Sequence, residues 1–149
     1  MIVVARLAML VGLAGLVPFV LGAGAVVFWT SHSAIMAHYF YLYCAGILAF
    51  MAGIYWPIGM QLENRSYPVS PVVMLVLSQV FFVLGGLGLL MPLAWQAVLY
   101  PLLYAGLYLM DVKMLRSYWP AWYLKLRLLL TGVSITSQLV VAGVVFASL

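Results

Sequence analysis

The sequence predicts an all-α membrane protein, a polytopic bundle of five transmembrane helices forming one domain over residues 1–149. Apolar residues make up 68% of the chain and charged residues 5%, and the mean hydropathy is +1.24. A chain of this composition has too little polar surface for a water-soluble fold. Apolar runs of about 20 residues match a hydrocarbon core of ~30 Å. Helices satisfy their own backbone polar groups in that medium, and the strand-type alternation that a closed barrel needs is absent.

The predicted spans cover residues 7–29, 39–60, 72–91, 93–110 and 126–147. The first span has an alternative interpretation as a secretory signal, because Ala23-Gly24-Ala25 resembles a small-residue cleavage site. Its apolar run is longer than the 7–15 residues usual for a signal core. We therefore predict that it is a retained span.

Prolines mark several boundaries of the predicted spans. Ser70 and Pro71 form a helix-start signature, in which the serine oxygen can accept a backbone N–H and the proline occupies the first turn. The tight link at Pro92 predicts that spans three and four form a helical hairpin. Pro18, Pro57 and Pro101 each remove a helical donor, so kinks are expected there.

The charged residues indicate the orientation. In the predicted topology all eight fall on one side of the membrane: Arg6, Glu63, Arg65, Asp111, Lys113, Arg116, Lys125 and Arg127. Since Lys and Arg near span ends are retained on the cytoplasmic side, the amino terminus is predicted inside and the carboxyl terminus outside. The predicted location is the bacterial inner (plasma) membrane, as a multi-pass protein.

The fourth predicted loop, residues 111–125, combines cations with aromatic rings. Such side chains anchor a protein at the lipid headgroup level, and a specific site for anionic lipid is the sharper alternative. The candidate interfacial contacts with lipid or a protein partner are Lys113, Arg116, Tyr118, Trp119, Trp122, Tyr123, Lys125 and Arg127. A net charge of +4 is too small a basic field for nucleic acid binding.

Uncharged polar residues cluster within the spans. No Asp, Glu, Lys, Arg or His lies well inside them, which argues against a proton pump or an ion-coupled carrier. The candidate intramembrane polar face consists of Gln79 in span three, Tyr100, Tyr104 and Tyr108 in span four, and Thr131, Ser134 and Gln138 in span five. Residues spaced by three or four share a helical face. One interpretation is hydrogen bonding between helices. The other is a pocket for a quinone, a lipid or a neutral small molecule between spans four and five.

Catalytic and metal-binding patterns are missing from the sequence. His32 and His38 are six residues apart and do not share a helical face, and Cys44 has no second cysteine to pair with. No Ser-His-acid set, carboxylate pair or phosphate loop can be assembled on one side of the membrane. We therefore expect no enzyme activity, no cofactor and no metal.

Three motifs carry a resemblance to a known family: Gly12-Leu13-Ala14-Gly15-Leu16-Val17-Pro18-Phe19, Gly53-Ile54-Tyr55-Trp56, and Pro120-Ala121-Trp122-Tyr123-Leu124-Lys125-Leu126-Arg127 with Leu130-Thr131. Over nearly its whole length the chain resembles an uncharacterised integral-membrane family that includes mitochondrial transmembrane protein 69 and bacterial inner-membrane proteins. Relatives often carry His where this chain has Tyr55. The resemblance implies a five-helix inner-membrane protein and brings no established activity.

Two functions are consistent with these features. The first is a non-enzymatic accessory or assembly subunit of a larger inner-membrane complex, such as a respiratory complex. The alternative is binding or translocation of a quinone, lipid or neutral small molecule. The expected partners are membrane lipids and either a larger membrane-protein complex or further copies of the chain.

Overall fold

Nearly all of the described part of the chain is helical. The computed structural model describes residues 2–62, 70–114 and 119–148, and these residues contain no strand. The helices are α1 (Ile2–Phe28), α2 (Ser33–Gly53), α3 (Tyr55–Leu62), α4 (Pro71–Gly88), α5 (Leu93–Met114) and α6 (Ala121–Ala147), with a one-turn 3-10 helix at Thr30–His32. The predicted residues Glu63, Arg65, Arg116 and Tyr118 lie outside the described part of the chain.

In the described ranges, five stretches of helix are long and apolar enough to cross a membrane, which confirms the predicted all-α bundle of five spans. Predicted spans three, four and five are α4, α5 and α6. Helix α5 continues to Met114 rather than ending at Met110, and α6 begins at Ala121 rather than at Leu126. Hydropathy falls at the first charged residue, but lysine and arginine are good helix formers, so the backbone stays helical beyond the apolar run.

The second predicted span is divided between α2 and α3, which together form the stretch Thr30–Met60. Pro57 explains the division. It lacks the N–H that would donate to the carbonyl of Gly53, and its ring crowds that carbonyl. The N–H of Ile54 donates to the Met51 carbonyl at 3.3 Å, which closes α2 with a tighter turn. Pro18 and Pro101, in contrast, lie within helices that continue through them.

The ends of α4 show how the hairpin with α5 is built. Ser70 occupies the N-cap position in an extended conformation and Pro71 opens the helix, as predicted, but the serine side chain makes no capping hydrogen bond. At the other end of α4 the side-chain amide of Gln96 donates to the carbonyl of Met91 at 2.7 Å. This bond fixes the turn between α4 and α5.

Helices distant in sequence pack side by side. Helix α1 lies against α6 and α2, α5 lies against α6, and α2 also contacts α4 and α5. A Cβ at Gly12 would be 3.3 Å from a methyl of Leu130, so the first halves of α1 and α6 run together. The starts of these two helices and the end of α5 therefore lie at one end of the bundle, where Arg6, Lys113 and Lys125 are exposed.

Candidate functional site

A buried ion pair joins α5 to α6 near the charged end of the bundle. The guanidinium of Arg127 places Nη2 2.7 Å and Nε 2.8 Å from Oδ2 of Asp111. Both side chains are only 4% exposed. The hydroxyl of Tyr55, the first residue of α3, donates to the other carboxylate oxygen, Oδ1, at 2.8 Å. We call Tyr55, Asp111 and Arg127 the charged cluster; it ties three helices together.

The polar groups of the charged cluster find most of their hydrogen-bond partners within the cluster and its immediate neighbours. Each carboxylate oxygen of Asp111 accepts at least one bond, and the Tyr55 hydroxyl also lies 3.2 Å from the carbonyl oxygen of Leu107. Nη1 of Arg127 points at the sulfur of Met51, 3.3 Å away, which is a weak acceptor. A crevice with room for about one water molecule opens beside the pair. A carboxylate held in this way is positioned to join helices, since its oxygens already have partners.

The placement of the pair limits its electrostatic cost. Taking two charges out of water is expensive, and their mutual attraction repays this only when the geometry is good and the remaining groups are hydrogen bonded. Asp111 lies in the last turn of α5 and Arg127 in the second turn of α6, close to the ends of their spans. The cost is therefore smaller than at the centre of the bilayer, where charged side chains are rare.

Burial of Arg127 corrects its assignment as an interfacial contact with lipid or a partner. It lies four positions before Thr131 and seven before Ser134, so it belongs to the inward stripe of α6. The other predicted contacts remain nearer the surface. Lys113 and Lys125 are exposed, and Trp119, Trp122 and Tyr123 are half-buried, with the rings of Trp119 and Tyr123 stacked at 4.3 Å.

The predicted tyrosine face of α5 lies inside the bundle. The Tyr100 hydroxyl donates to the carbonyl of Gly85 in α4 and the Tyr104 hydroxyl to the carbonyl of Cys44 in α2, each at 2.7 Å. Both residues are fully buried, whereas Tyr108 is half-buried. The two hydroxyls therefore bond helices to one another and are already used as donors.

The polar residues of α6 face the same interior. Thr131, Ser134 and Gln138 are all buried, and the Gln138 amide nitrogen lies 3.5 Å from the sulfur of Cys44. The Ser134 hydroxyl donates back to the carbonyl of Leu130 at 2.7 Å. Within the described part of the chain, the Thr131 hydroxyl and the Gln138 carbonyl oxygen have no hydrogen-bond partner.

Gln79 is separate from this group. The structure places it on the exposed side of α4, whereas its neighbour Ser78 is buried. The predicted face thus comes together from α5 and α6 but not from α4. The 3.6-residue period explains this result, because Met74, Ser78, Phe81 and Gly85 form the buried stripe of α4 and Gln79 falls outside it.

Sequence reasoning missed several tyrosines that contribute to the interior. Tyr41 is fully buried, its ring stacked on Tyr100 at 5.6 Å, and no described residue bonds its hydroxyl. Tyr43 donates to the carbonyl of Gly15 in α1 at 2.7 Å, and Tyr55 completes the charged cluster. A usable signal was present for Asp111, which continues the α5 stripe of Tyr100 and Tyr104 at helical spacing.

An open apolar groove of about 330 Å³ lies on the outer surface of α2, lined by Tyr39, Leu42, Tyr43, Gly46 and Ile47. It is away from the α5–α6 contact where a pocket was predicted.

His32 and His38 are exposed near the start of α2, and Ser31 is hydrogen bonded to the His32 ring at 2.9 Å. Within the described ranges no three His, Cys, Asp or Glu side chains come together as metal ligands would.

Comparison with known proteins connects this architecture to one family. Residues 4–143 match the family described as "Protein of unknown function (DUF3429)". A search of curated proteins and a search of solved structures give no match to the chain. The match covers nearly the whole chain and confirms the resemblance to an uncharacterised family. The chain belongs to this family of unknown function.

Proposed function

We propose that the chain is a non-enzymatic structural subunit, an accessory or assembly component of a larger inner-membrane complex. One observation carries the proposal: the buried tyrosines and the buried ion pair join helices to one another. Tyr100 and Tyr104 bond backbone carbonyls of other helices, and Asp111 is bonded by Arg127 and Tyr55. A protein that moves ions or binds a polar substrate needs polar groups presented to a cavity.

The family resemblance supports a particular kind of complex. The resemblance to a family with a mitochondrial member favours a respiratory complex. The size of the chain, 149 residues, and its five spans fit such a subunit. The exposed surfaces of its helices are rich in valine, leucine and phenylalanine, which can contact either lipid or neighbouring helices.

Gentle purification tests the proposal. A tagged chain extracted in a mild detergent should co-purify with defined membrane proteins, identified by quantitative mass spectrometry against untagged cells. The mass of the native particle should exceed that of the chain several-fold. Recovery of the chain alone, as a monomer or a homodimer, would contradict the proposal.

The exposed cations Arg6, Lys113 and Lys125 support a cytoplasmic amino terminus and an outer carboxyl terminus, with the chain in the inner membrane. Single cysteines in a Cys44→Ala chain test this orientation with a membrane-impermeant maleimide. Ser31→Cys should react in intact cells, and Lys125→Cys only after the membrane is opened. The reverse pattern would overturn the orientation.

A second candidate function is amphiphile binding, favoured by the apolar groove on α2. A lipid tail or quinone tail fits a groove of this composition. Gly46→Leu should reduce retention of lipid or quinone in native mass spectrometry if the groove is occupied. The pair Tyr104→Phe and Gln138→Leu is the matched control, because these buried groups do not line the groove. Equal retention in all variants would remove this candidate.

A further inference from the structure

The outward side of α4 carries a polar residue in an unusual place. Gln79 is the ninth of the 18 residues of α4, and it is exposed. A helix of this length is about 27 Å long, close to the thickness of the hydrocarbon core, so Gln79 lies near the middle of the membrane. No described residue hydrogen bonds its amide.

Lipid tails cannot satisfy an amide at this depth. An amide without hydrogen-bond partners in an apolar medium is unfavourable, and glutamine is too short to reach the headgroups from the centre of a span. In membranes, glutamine side chains instead hydrogen bond between helices. The position of Gln79 therefore points to a neighbouring helix.

The residues around Gln79 have the spacing of a helix-packing seam. Val72, Val76, Gln79, Val83 and Gly86 follow one another at intervals of four, three, four and three, and all are exposed. We call them the outer stripe of α4. This 3.5-residue period is the one that left-handed helix pairs use.

The outer stripe is also shaped for close approach. A Cβ at Gly86 would meet no atom within 4 Å, so the chain itself leaves this position open. The buried stripe of the same helix has the opposite character, because a Cβ at Gly85 would be 2.9 Å from Leu48. The two stripes lie on opposite sides of α4, one packed against the bundle and one facing outward.

We infer that the outer stripe of α4 binds a transmembrane helix of another subunit, one that presents an amide or hydroxyl side chain to Gln79 at mid-membrane. This inference rests on the proposed function and names the surface through which the chain joins its complex. The valines supply van der Waals contact, Gly86 allows close backbone approach, and the Gln79 amide fixes the register of the pair.

Photo-crosslinking in membranes tests the inference. Benzophenone side chains at positions 76 and 83 should form adducts with a membrane protein, and the crosslinked peptide should lie in a transmembrane segment with Asn, Gln, Ser or Thr within one turn. Positions 73 and 84, also exposed on α4, are the matched controls and should form few adducts.

Gln79→Leu should lower the adduct yield at position 83 by about threefold to tenfold, the range expected for one interhelical hydrogen bond. Gln79→Asn should retain most of it.

Three results would overturn the inference. Adducts between two differently tagged copies would make the occupant a second copy of the chain. Adducts with lipid alone would leave the outer stripe facing the bilayer. Equal adduct yields at positions 73, 76, 83 and 84, with the same partners still co-purifying, would show that the outer stripe is not the binding surface. The proposed function would be unaffected by that result. If the unmodified chain co-purifies with no partner, the proposed function itself is contradicted.

Discussion

Two buried polar regions of the bundle are built in different ways. The charged cluster, near the charged end, uses an ion pair and a phenol, and both oxygens of its carboxylate are bonded. The tyrosine layer, which comprises Tyr41, Tyr100, Tyr104, Cys44 and Gln138, lies deeper and contains neutral groups. The hydroxyls of Tyr100 and Tyr104 donate to the backbone carbonyls of Gly85 and Cys44. The Tyr41 hydroxyl and the Gln138 carbonyl oxygen have no described partner.

The difference follows from depth in the membrane. A charge without a partner at the bilayer centre is costly, so charge is kept near the span ends and fully paired. A neutral polar group without a partner costs far less, about 1–3 kcal/mol, and large aromatic rings offset it by filling space. The charged cluster should therefore be sensitive to the loss of one partner, and the tyrosine layer should tolerate changes to single polar atoms.

The largest effect is expected from Arg127→Met. It leaves the Asp111 carboxylate buried without its cation, which should lower the free energy of unfolding by about 3–5 kcal/mol. Unfolding in mixed micelles with increasing denaturing detergent measures the change. Lys125→Met is the control, because Lys125 is two residues away and exposed, and it should change stability by about 0.5 kcal/mol or less. Equal effects of both substitutions would show that the ion pair contributes little.

A steric test of the tyrosine layer comes next. In Gly88→Ala the new methyl would lie 2.6 Å from Leu99 and 3.1 Å from the Tyr100 hydroxyl. Overpacking of this kind should cost about 1–3 kcal/mol. Gly86→Ala, two residues away, meets no atom within 4 Å, and in the isolated chain it should be neutral or stabilising by up to about 1 kcal/mol, because alanine favours the helix. Thermal unfolding of the two purified variants compares them, and equal midpoints would contradict the close approach at Gly88.

Tyr104→Phe should have a smaller effect. It removes the donor to the Cys44 carbonyl and keeps the ring, so the expected loss is about 0.6 kcal/mol, the average for an interhelical hydrogen bond in a membrane. Tyr39→Phe, on the exposed side of α2, is the matched control. The same detergent titration measures both, and a loss at Tyr104 above that of Arg127→Met would reverse the ranking of the two regions.

Thr131→Val should have the smallest effect. The buried Thr131 hydroxyl has no hydrogen-bond partner among the described residues, and valine has nearly the same shape. Removing a buried polar group that is unpaired should leave stability unchanged or raise it slightly. A loss above about 1 kcal/mol would indicate that the hydroxyl is bonded in the membrane, for instance through an internal water.

Much of the fold could be predicted from the sequence, because span number follows from apolar length and the hairpin from Pro92. The ends of the helices could not be predicted, since the apolar run ends at the first charged residue while α5 continues to Met114. The Asp111–Arg127 contact escaped prediction for the same reason. Each residue was assigned to a loop or an interface, and their meeting depends on how α5 packs against α6.

The polar faces show a similar division. The spacing of Tyr100 and Tyr104, and that of Thr131 and Gln138, predicted shared faces, and these side chains are buried. Periodicity could not identify the helices they bond, because the packing of α2 between α4 and α5 is a tertiary property. The sequence around Gln79 could not show which way its side chain faces, since both sides of α4 are apolar. Packing against the other helices decides which side is buried.

A double-mutant cycle at the charged cluster tests its structural role most directly. Asp111→Leu and Arg127→Met, combined in one chain, replace the ion pair with apolar side chains, which is often neutral or stabilising. If the pair serves to join helices, the double variant should lie within about 2 kcal/mol of the unmodified chain, although each single substitution costs about 3–5 kcal/mol. It should also co-purify with the same membrane proteins. Additive losses in stability, or a stable double variant that no longer joins its complex, would contradict this role.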